Sequence, residues 1–300
     1  MNAANDKVVP ELLLDREILR RNFDVQPFGF DHTLHQLPLF RLDALHALAA
    51  KYANRLPDTY VSGTVPSPET KFYSGKRVPM LPHEAVERLG EGEYRVLLKR
   101  PENVDESYRD LLHTVFKQML GLLGGLGKDR LARLESAIFI TSARTITPFH
   151  YDPEVNFFSQ IEGEKIYHVY APACLTEQEL EQFYVRGILD IAQVDLADRD
   201  RRHEHTFTLA PGKGLHQPQN APHWAETTCS RSISYVFVYE TEATRAKGRV
   251  RAFNHYARSI GITPDVPGRN AAIDAAKAAA MRAVLPLKRR VGRAVRAIRR

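Results

Sequence analysis

The sequence predicts a mainly β fold with helical additions, in which short antiparallel strands close a small barrel. Residues 147–171 divide into short, half-apolar segments separated by turns, including a tight turn at Gly163. Residues 10–22, 42–53 and 105–124 instead carry apolar side chains at helical spacing. We therefore expect helices to flank the barrel on the N-terminal side of the chain.

The first 130 residues are expected to be mostly helical support. A strand-like segment, Tyr94–Leu98, interrupts the helices. The stretch 60–104 is rich in proline, glycine and charge, which predicts loops.

The rest of the chain divides into a barrel and C-terminal additions. Residues 131–245 are expected to form the barrel, interrupted at about 173–200 by an insertion with a helix over Glu177–Phe183. A helical segment and loop follow over 246–270, and a basic amphipathic tail over 271–300. No internal repeat is present in the sequence.

Basic charge is concentrated in that tail. The chain has a net charge of +6, but residues 271–300 alone carry nine Lys and Arg against one acid, Asp274. Helical spacing separates an apolar face from a basic one: Leu287, Val291, Val295 and Ile298 against Arg289, Arg293, Arg296 and Arg300. Pro286 is expected to kink or break the helix. The segment Lys288–Arg300 could bind an anionic membrane surface, nucleic acid or a partner subunit, or it could be a solvated tail. The sequence does not decide whether the protein forms a homo-oligomer.

Composition excludes several classes of protein. A chain of 300 residues with 43% hydrophobic content can bury a large core. Its two cysteines, Cys174 and Cys229, have no spacing typical of a disulfide scaffold. No signal peptide and no apolar run of membrane-spanning length are present, so we expect a cytoplasmic location.

A candidate metal site centres on His150 and Asp152. Two residues apart on an extended strand, their side chains point the same way and can reach one cation. With His223 from a distant strand they complete the two-histidine, one-carboxylate face typical of non-heme Fe(II). His216 is a competitor on the same run as His223. The pair His203 and His205 lies in a charged stretch that predicts a solvated loop.

The surrounding sequence resembles the metal-binding core of the JmjC and cupin-like Fe(II)- and 2-oxoglutarate-dependent oxygenases, and most of all their asparaginyl hydroxylases of hypoxia-inducible factor. The family pattern Thr-Pro-x-His-x-Asp occurs at 147–152, and Asn-Phe-Phe-x-Gln-Ile-x-Gly-x-Lys at 156–165. A Pro-Gly turn, a strand and a distal histidine five residues after a proline follow at 211–223, with Lys213 replacing the usual aspartate of the turn. The resemblance covers roughly 137–240.

This resemblance implies a double-stranded β-helix, the cupin or jelly-roll barrel. It also implies an oxygenase, specifically a hydroxylase, that couples decarboxylation of 2-oxoglutarate to succinate with oxidation of a protein side chain or small molecule. Loops near the barrel mouth, within 60–104, would choose the substrate. The implied site residues are the Fe(II) ligands His150, Asp152 and His223 and the cosubstrate contacts Lys165, Thr147 and Asn156. A further family asparagine has no counterpart in 232–238, which leaves the partner of the inner carboxylate open.

Elementary chemistry agrees with Lys165 and leaves Thr147 unexplained. A carboxylate buried in a barrel needs a cationic partner, since an unpaired charge there costs several kcal/mol. The Gly163 turn brings Lys165 back beside the His150 strand. Thr147, however, lies an odd number of residues from His150 and would face the other way on a regular strand, unless Pro148 breaks the pleat.

Two other classes of function stay open. The first is a catalytically silent, metal-binding cupin that serves as a sensor or scaffold, which Lys165 argues against. The second is a regulator that contacts nucleic acid through the basic tail. No helix-turn-helix, zinc finger or alternation of aromatic and basic residues supports the regulator.

Overall fold

The computed structural model describes residues 8–71, 77–185 and 195–298, with side chains as far as Lys288. The strands are β1 (Leu12–Leu13), β2 (Phe28–His32), β3 (Thr59–Gly63), β4 (Tyr94–Lys99), β5 (Leu131–Ser142), β6 (Ile146–His150), β7 (Val155–Glu162), β8 (Lys165–Tyr170), β9 (Glu204–Leu209), β10 (Lys213–Gln217), β11 (His223–Thr227) and β12 (Arg231–Thr241). The helices are α1 (Arg16–Asn22), α2 (Leu42–Ala50), α3 (Pro82–Glu87), α4 (Glu106–Leu123), α5 (Glu177–Tyr184), α6 (Glu242–Ser259) and α7 (Ala271–Ile298).

Two antiparallel sheets form the barrel. The large sheet has the order β1-β2-β10-β7-β12-β5-β4-β3, and the small sheet has the order β6-β11-β8-β9. Side chains from both sheets meet in one apolar cluster, including Phe158 of β7, Tyr167 and Val169 of β8, and Val236 of β12. The expectation of a mainly β jelly-roll barrel with helical additions is confirmed.

The large sheet is covered on its outer face by N-terminal helices. Strand β7 alternates in the way a pleated sheet requires, with Phe158 inside the barrel and Phe157 outside. Phe157 stacks on Phe237 of β12 with ring centroids 5.0 Å apart. Phe116 of α4 packs edge-on against Tyr239, which buries the amphipathic face of that helix.

The N-terminal region also contributes strands to the barrel. Strands β1 and β2 extend one edge of the large sheet, and β3 and β4 extend the other. Of the predicted helix over 10–22, only α1 forms, because the Asp15 side chain caps it by accepting from the Glu17 and Ile18 N–H groups. The expected loop region 60–104 contains β3, α3 and β4, and residues 72–76 lie outside the described part.

The C-terminal elements pack together beside the barrel. Helix α5 lies in the predicted insertion between β8 and β9, whose residues 186–194 are outside the described part. Helix α7 runs through Pro286 without the expected break. Leu285 and Lys288, on either side of the proline, both contact neighbouring elements, and this packing holds the helix together. Among the described helices, none is long and apolar enough to cross a membrane.

Candidate metal centre and cosubstrate cavity

Three side chains of the candidate site converge at the end of the small sheet. His150 is the last residue of β6, and His223, the first residue of β11, lies directly opposite it in the antiparallel pair. Asp152 follows β6 by two residues. Its Oδ2 atom lies 3.7 Å from Nε2 of His150 and 3.7 Å from Nε2 of His223. Within the described part of the chain, no other group of three such side chains converges in this way.

The two imidazoles are oriented for metal binding. Nδ1 of His150 lies 2.7 Å from the Pro148 carbonyl oxygen, and Nδ1 of His223 lies 2.9 Å from the Ala221 oxygen. A proton on each Nδ1 turns the Nε2 lone pair toward the carboxylate. Burial lowers the pKa of His223 to about 4, and burial together with His223 lowers the pKa of His150 well below its usual value. Neutral imidazoles beside a carboxylate are the donors that a divalent transition metal requires, so these residues fit Fe(II).

The backbone that carries Asp152 is fastened to the loop that precedes His223. The Asn220 N–H donates to the Asp152 carbonyl oxygen at 2.9 Å, and the Gln219 side-chain amide donates to the Pro153 oxygen at 2.8 Å. Tyr184 of α5 donates to the Asn220 side chain at 2.9 Å. These bonds join two distant segments and keep the carboxylate beside both imidazoles.

A cavity of about 230 Å³ extends from this centre into the barrel. Lys165, the first residue of β8, lines the cavity and is 4% exposed. Burial, followed by repulsion from Arg95, lowers the Lys165 pKa to about 7, and no carboxylate of the described residues offsets this. Its Nζ lies 6.0 Å from the ring centroids of Phe139 and Phe158. An amine held in this way fits the outer carboxylate of a bound keto diacid.

A bulge explains how Thr147 shares the cavity with His150. His150 pairs with His223, but Thr147 pairs with Ala225, so three steps along β6 oppose two along β11. The register shift falls between Thr147 and His150, a stretch that contains Pro148, which has no N–H to donate and is tolerated at bulges. The shift turns the Thr147 side chain to the same side of β6 as His150, and the side chains of Thr147 and His150 both line the cavity. The spacing argument against Thr147 therefore does not apply.

Two polar groups on neighbouring strands also line the cavity. Asn156 of β7 is 7% exposed, and its Oδ1 atom is buried without a hydrogen-bond partner. Tyr167 of β8 stacks on His223 with centroids 5.5 Å apart and accepts a hydrogen bond from Gln217 at 2.7 Å. Sequence reasoning missed Tyr167, although its position two residues after Lys165 on a strand places both on one face.

Sequence reasoning also missed an ionic cluster on the cavity wall. Arg133 of β5 pairs with Glu154, and its Nε lies 3.0 Å from Glu240 of β12. Arg133 and Glu154 both line the cavity. Burial raises the Glu154 pKa to about 8; Arg133 opposes the rise, and Asp152 and Glu240 add to it. No motif signals this cluster, because Arg133 of β5, Glu240 of β12 and Glu154, which precedes β7, meet only in the folded sheet.

The remaining histidines of the sequence argument lie elsewhere. His216 of β10 is fully buried on the outer face of the large sheet, packed against Phe23, Phe28 and Phe157. Both His203, just before β9, and His205, near the start of β9, are exposed. Lys213, in the variant turn, forms a 2.8 Å ion pair with Asp31 at the surface.

Comparison with known proteins agrees with this architecture. An X-ray structure of Escherichia coli ycfD superposes with a TM-score of 0.53, at 17% identity, over 93% of this chain and 69% of that one. The chain has the barrel fold of the JmjC and cupin-like oxygenases. A second structure, of the ribosomal oxygenase YcfD from Escherichia coli in complex with cobalt and 2-oxoglutarate, gives a TM-score of 0.49 at 16% identity, over 92% of this chain and 68% of that one.

Sequence comparison gives a shorter match. Ribosomal oxygenase 2 of Bos taurus is 34% identical over 93 residues, which are 31% of this chain and only 18% of that protein. No family model matches the sequence.

Proposed function

We propose that the chain is an Fe(II)- and 2-oxoglutarate-dependent oxygenase that hydroxylates a protein side chain or a small molecule. The observation that carries the proposal is one cavity lined both by a His-Asp-His cluster and by a buried amine that lacks a carboxylate partner among the described residues. A silent metal-binding cupin needs the first feature but has no use for the second. The name of the bovine relative, an oxygenase, supports the same class.

Each side chain has a distinct role in the proposal. His150, Asp152 and His223 hold the metal on one face and leave its other side open toward the cavity. Lys165 as an ammonium pairs with the outer carboxylate of 2-oxoglutarate, and the Thr147 hydroxyl donates a second, charge-assisted hydrogen bond. Asn156 offers an amide beside the cosubstrate. When bound, ferrous iron with 2-oxoglutarate would supply the reduction of dioxygen: one oxygen atom enters succinate as carbon dioxide leaves, and the other enters a substrate C–H bond as a hydroxyl group.

The rest of the cavity keeps water away from the reacting groups and admits the substrate. Phe139, Phe158 and Val236 provide an apolar wall around Lys165, which strengthens the ion pair by lowering the local dielectric. Glu154 and Arg133 also line the cavity, and Glu154 is close enough to Asp152 for the two carboxylates to interact electrostatically. We infer that substrate polar groups meet this pair.

Turnover of 2-oxoglutarate to succinate without substrate tests the proposal. We expect Asp152→Ala and His150→Ala to reduce this turnover at least about 100-fold. Both variants should also lose the Mn²⁺ binding that calorimetry measures in the unaltered protein. His203→Ala is the matched control, because His203 is exposed and distant from the cluster. Turnover that survives in both ligand variants contradicts the metal assignment. Metal binding by the unaltered protein without any affinity for 2-oxoglutarate supports the silent cupin instead.

A further inference from the structure

Helix α7 uses one face to dock on its own protein. Ala278, Met281 and Leu285 are all at least nine-tenths buried. Met281 and Leu285 join an apolar cluster with side chains of α5 and α6. One turn further on, Lys288 Nζ lies 3.1 Å from the Val185 carbonyl oxygen. This spacing of three, four and three residues marks the docked face.

A second face of the same helix is apolar and lies in solvent. Val284 is 45% exposed and Leu287 is 63% exposed, although Leu285, which lies between them in sequence, is buried. Helical spacing continues this stripe through Val291, Val295 and Ile298, to the last residue of α7. From residue 284 to residue 298, which is fourteen steps along the helix, the stripe is roughly 21 Å long. At Val284 and Leu287, where side chains are described, the stripe does not belong to any of the apolar clusters of the described chain.

The charge beside the stripe indicates what covers it. Residues 288–300 contain seven Lys and Arg and no acid. Two copies of this segment would repel each other, which opposes pairing of the stripe with itself. A nucleic acid would satisfy the charge but leave the apolar stripe in water. An anionic lipid surface satisfies both, because headgroup phosphates meet the basic side chains while the interface takes up the apolar ones.

We propose that residues 284–298 of α7 form an interfacial helix that binds the surface of an anionic phospholipid bilayer through the apolar stripe that begins at Val284 and Leu287. The buried face at Met281 and Leu285 keeps the helix attached to the barrel, so binding brings the whole protein to the membrane. Each basic residue near an anionic surface contributes about fivefold in partitioning. Four of them together contribute more than about 100-fold.

Vesicle co-sedimentation of the full-length protein tests this proposal. Vesicles of phosphatidylcholine with about one third phosphatidylglycerol are expected to bind the unaltered protein, and vesicles of pure phosphatidylcholine are not. Replacing Arg293, Arg296, Arg299 and Arg300 by Gln should reduce binding more than about 100-fold. The pair Leu287→Gln and Val291→Gln should reduce it more than about tenfold while every charge is kept.

Controls separate this proposal from its competitors. Ile273→Gln is matched to Leu287→Gln, since Ile273 is 49% exposed on the same helix but lies far from the basic segment, and it should bind vesicles normally. Unchanged thermal unfolding of the variants establishes that they fold. Equal binding to both vesicle types, or full binding by the Leu287/Val291 variant, overturns the proposal. Tight binding to duplex RNA without vesicle binding also overturns it. A dimer of the unaltered protein that does not form in the Leu287/Val291 variant overturns it as well.

Discussion

Replacing Lys165 by Met should change stability and cosubstrate affinity in opposite directions. The ordinary lysine pKa of 10.5 is lowered to about 7 in the folded protein, mainly by burial and then by Arg95. A shift of this size corresponds to a cost of roughly 3–5 kcal/mol for keeping the ammonium charged in the empty cavity. Methionine has a similar length and no charge, so it removes that cost. We expect the unliganded variant to be more stable, with a thermal midpoint several degrees higher.

The same substitution should weaken 2-oxoglutarate binding. Removing one partner of a buried ion pair costs about 3–5 kcal/mol, or roughly 10²- to 10³-fold in affinity. Calorimetric titration with N-oxalylglycine in the presence of Mn²⁺ measures this change, and differential scanning calorimetry of the free protein measures the stability. Lys213→Met is the control, because Lys213 is a surface lysine paired with Asp31. Undiminished N-oxalylglycine affinity in Lys165→Met refutes the role of Lys165. A loss of both affinity and stability shows instead that the substitution damages the fold.

Three further predictions follow from the same structure. Because Lys165 has a pKa of about 7 in the free protein and must be protonated to bind the dicarboxylate, affinity for N-oxalylglycine should fall by about tenfold per pH unit above 7, and the slope should vanish in Lys165→Met; a flat profile in the unaltered protein contradicts this. Gln219→Ala, which removes the 2.8 Å bond to the Pro153 carbonyl oxygen, should cost about 1 kcal/mol of stability and about tenfold in Mn²⁺ affinity, measured by denaturant unfolding and calorimetry. Phe237→Ala, at a fully buried ring stacked on Phe157, should cost about 3–5 kcal/mol in denaturant unfolding, and a cost below 1 kcal/mol would show that the core relaxes around the cavity.

The sequence predicted the local parts of the site better than its long-range parts. His150 and Asp152 lie two residues apart, and strand periodicity alone indicates that they point the same way. The strand-turn-strand pattern around Gly163 also predicts where Lys165 begins β8. Arg133 and Glu154 could not be found in this way, because strand order in the sheet, and not spacing along the chain, makes them neighbours.

Two differences between expectation and structure have specific physical reasons. Strict alternation excludes Thr147 from the cavity, but the register shift between Thr147 and His150 restores it, and Pro148 within that stretch is a local signal of such a shift. The sequence predicted β4 from the strand-like segment Tyr94–Leu98, but β1–β3 were missed because they are short and extend the edges of a sheet built by later residues. Pairing partners that lie far away in sequence decided both outcomes.

Charge alone indicates that residues 271–300 form one tail, but the structure divides this segment into two parts with different roles. Up to Lys288 it belongs to the site, since Met281 and Leu285 pack in the same cluster as Tyr151, the residue between His150 and Asp152. Tyr151 also donates to the Glu179 carbonyl oxygen of α5 at 3.3 Å, so α5 supports the ligand strand directly while α7 supports it through packing. Removing residues 271–300 would therefore disturb the metal centre, whereas removing 289–300 would leave it intact. A truncation at 288 thus separates the chemistry of the barrel from the surface that the basic residues recognise.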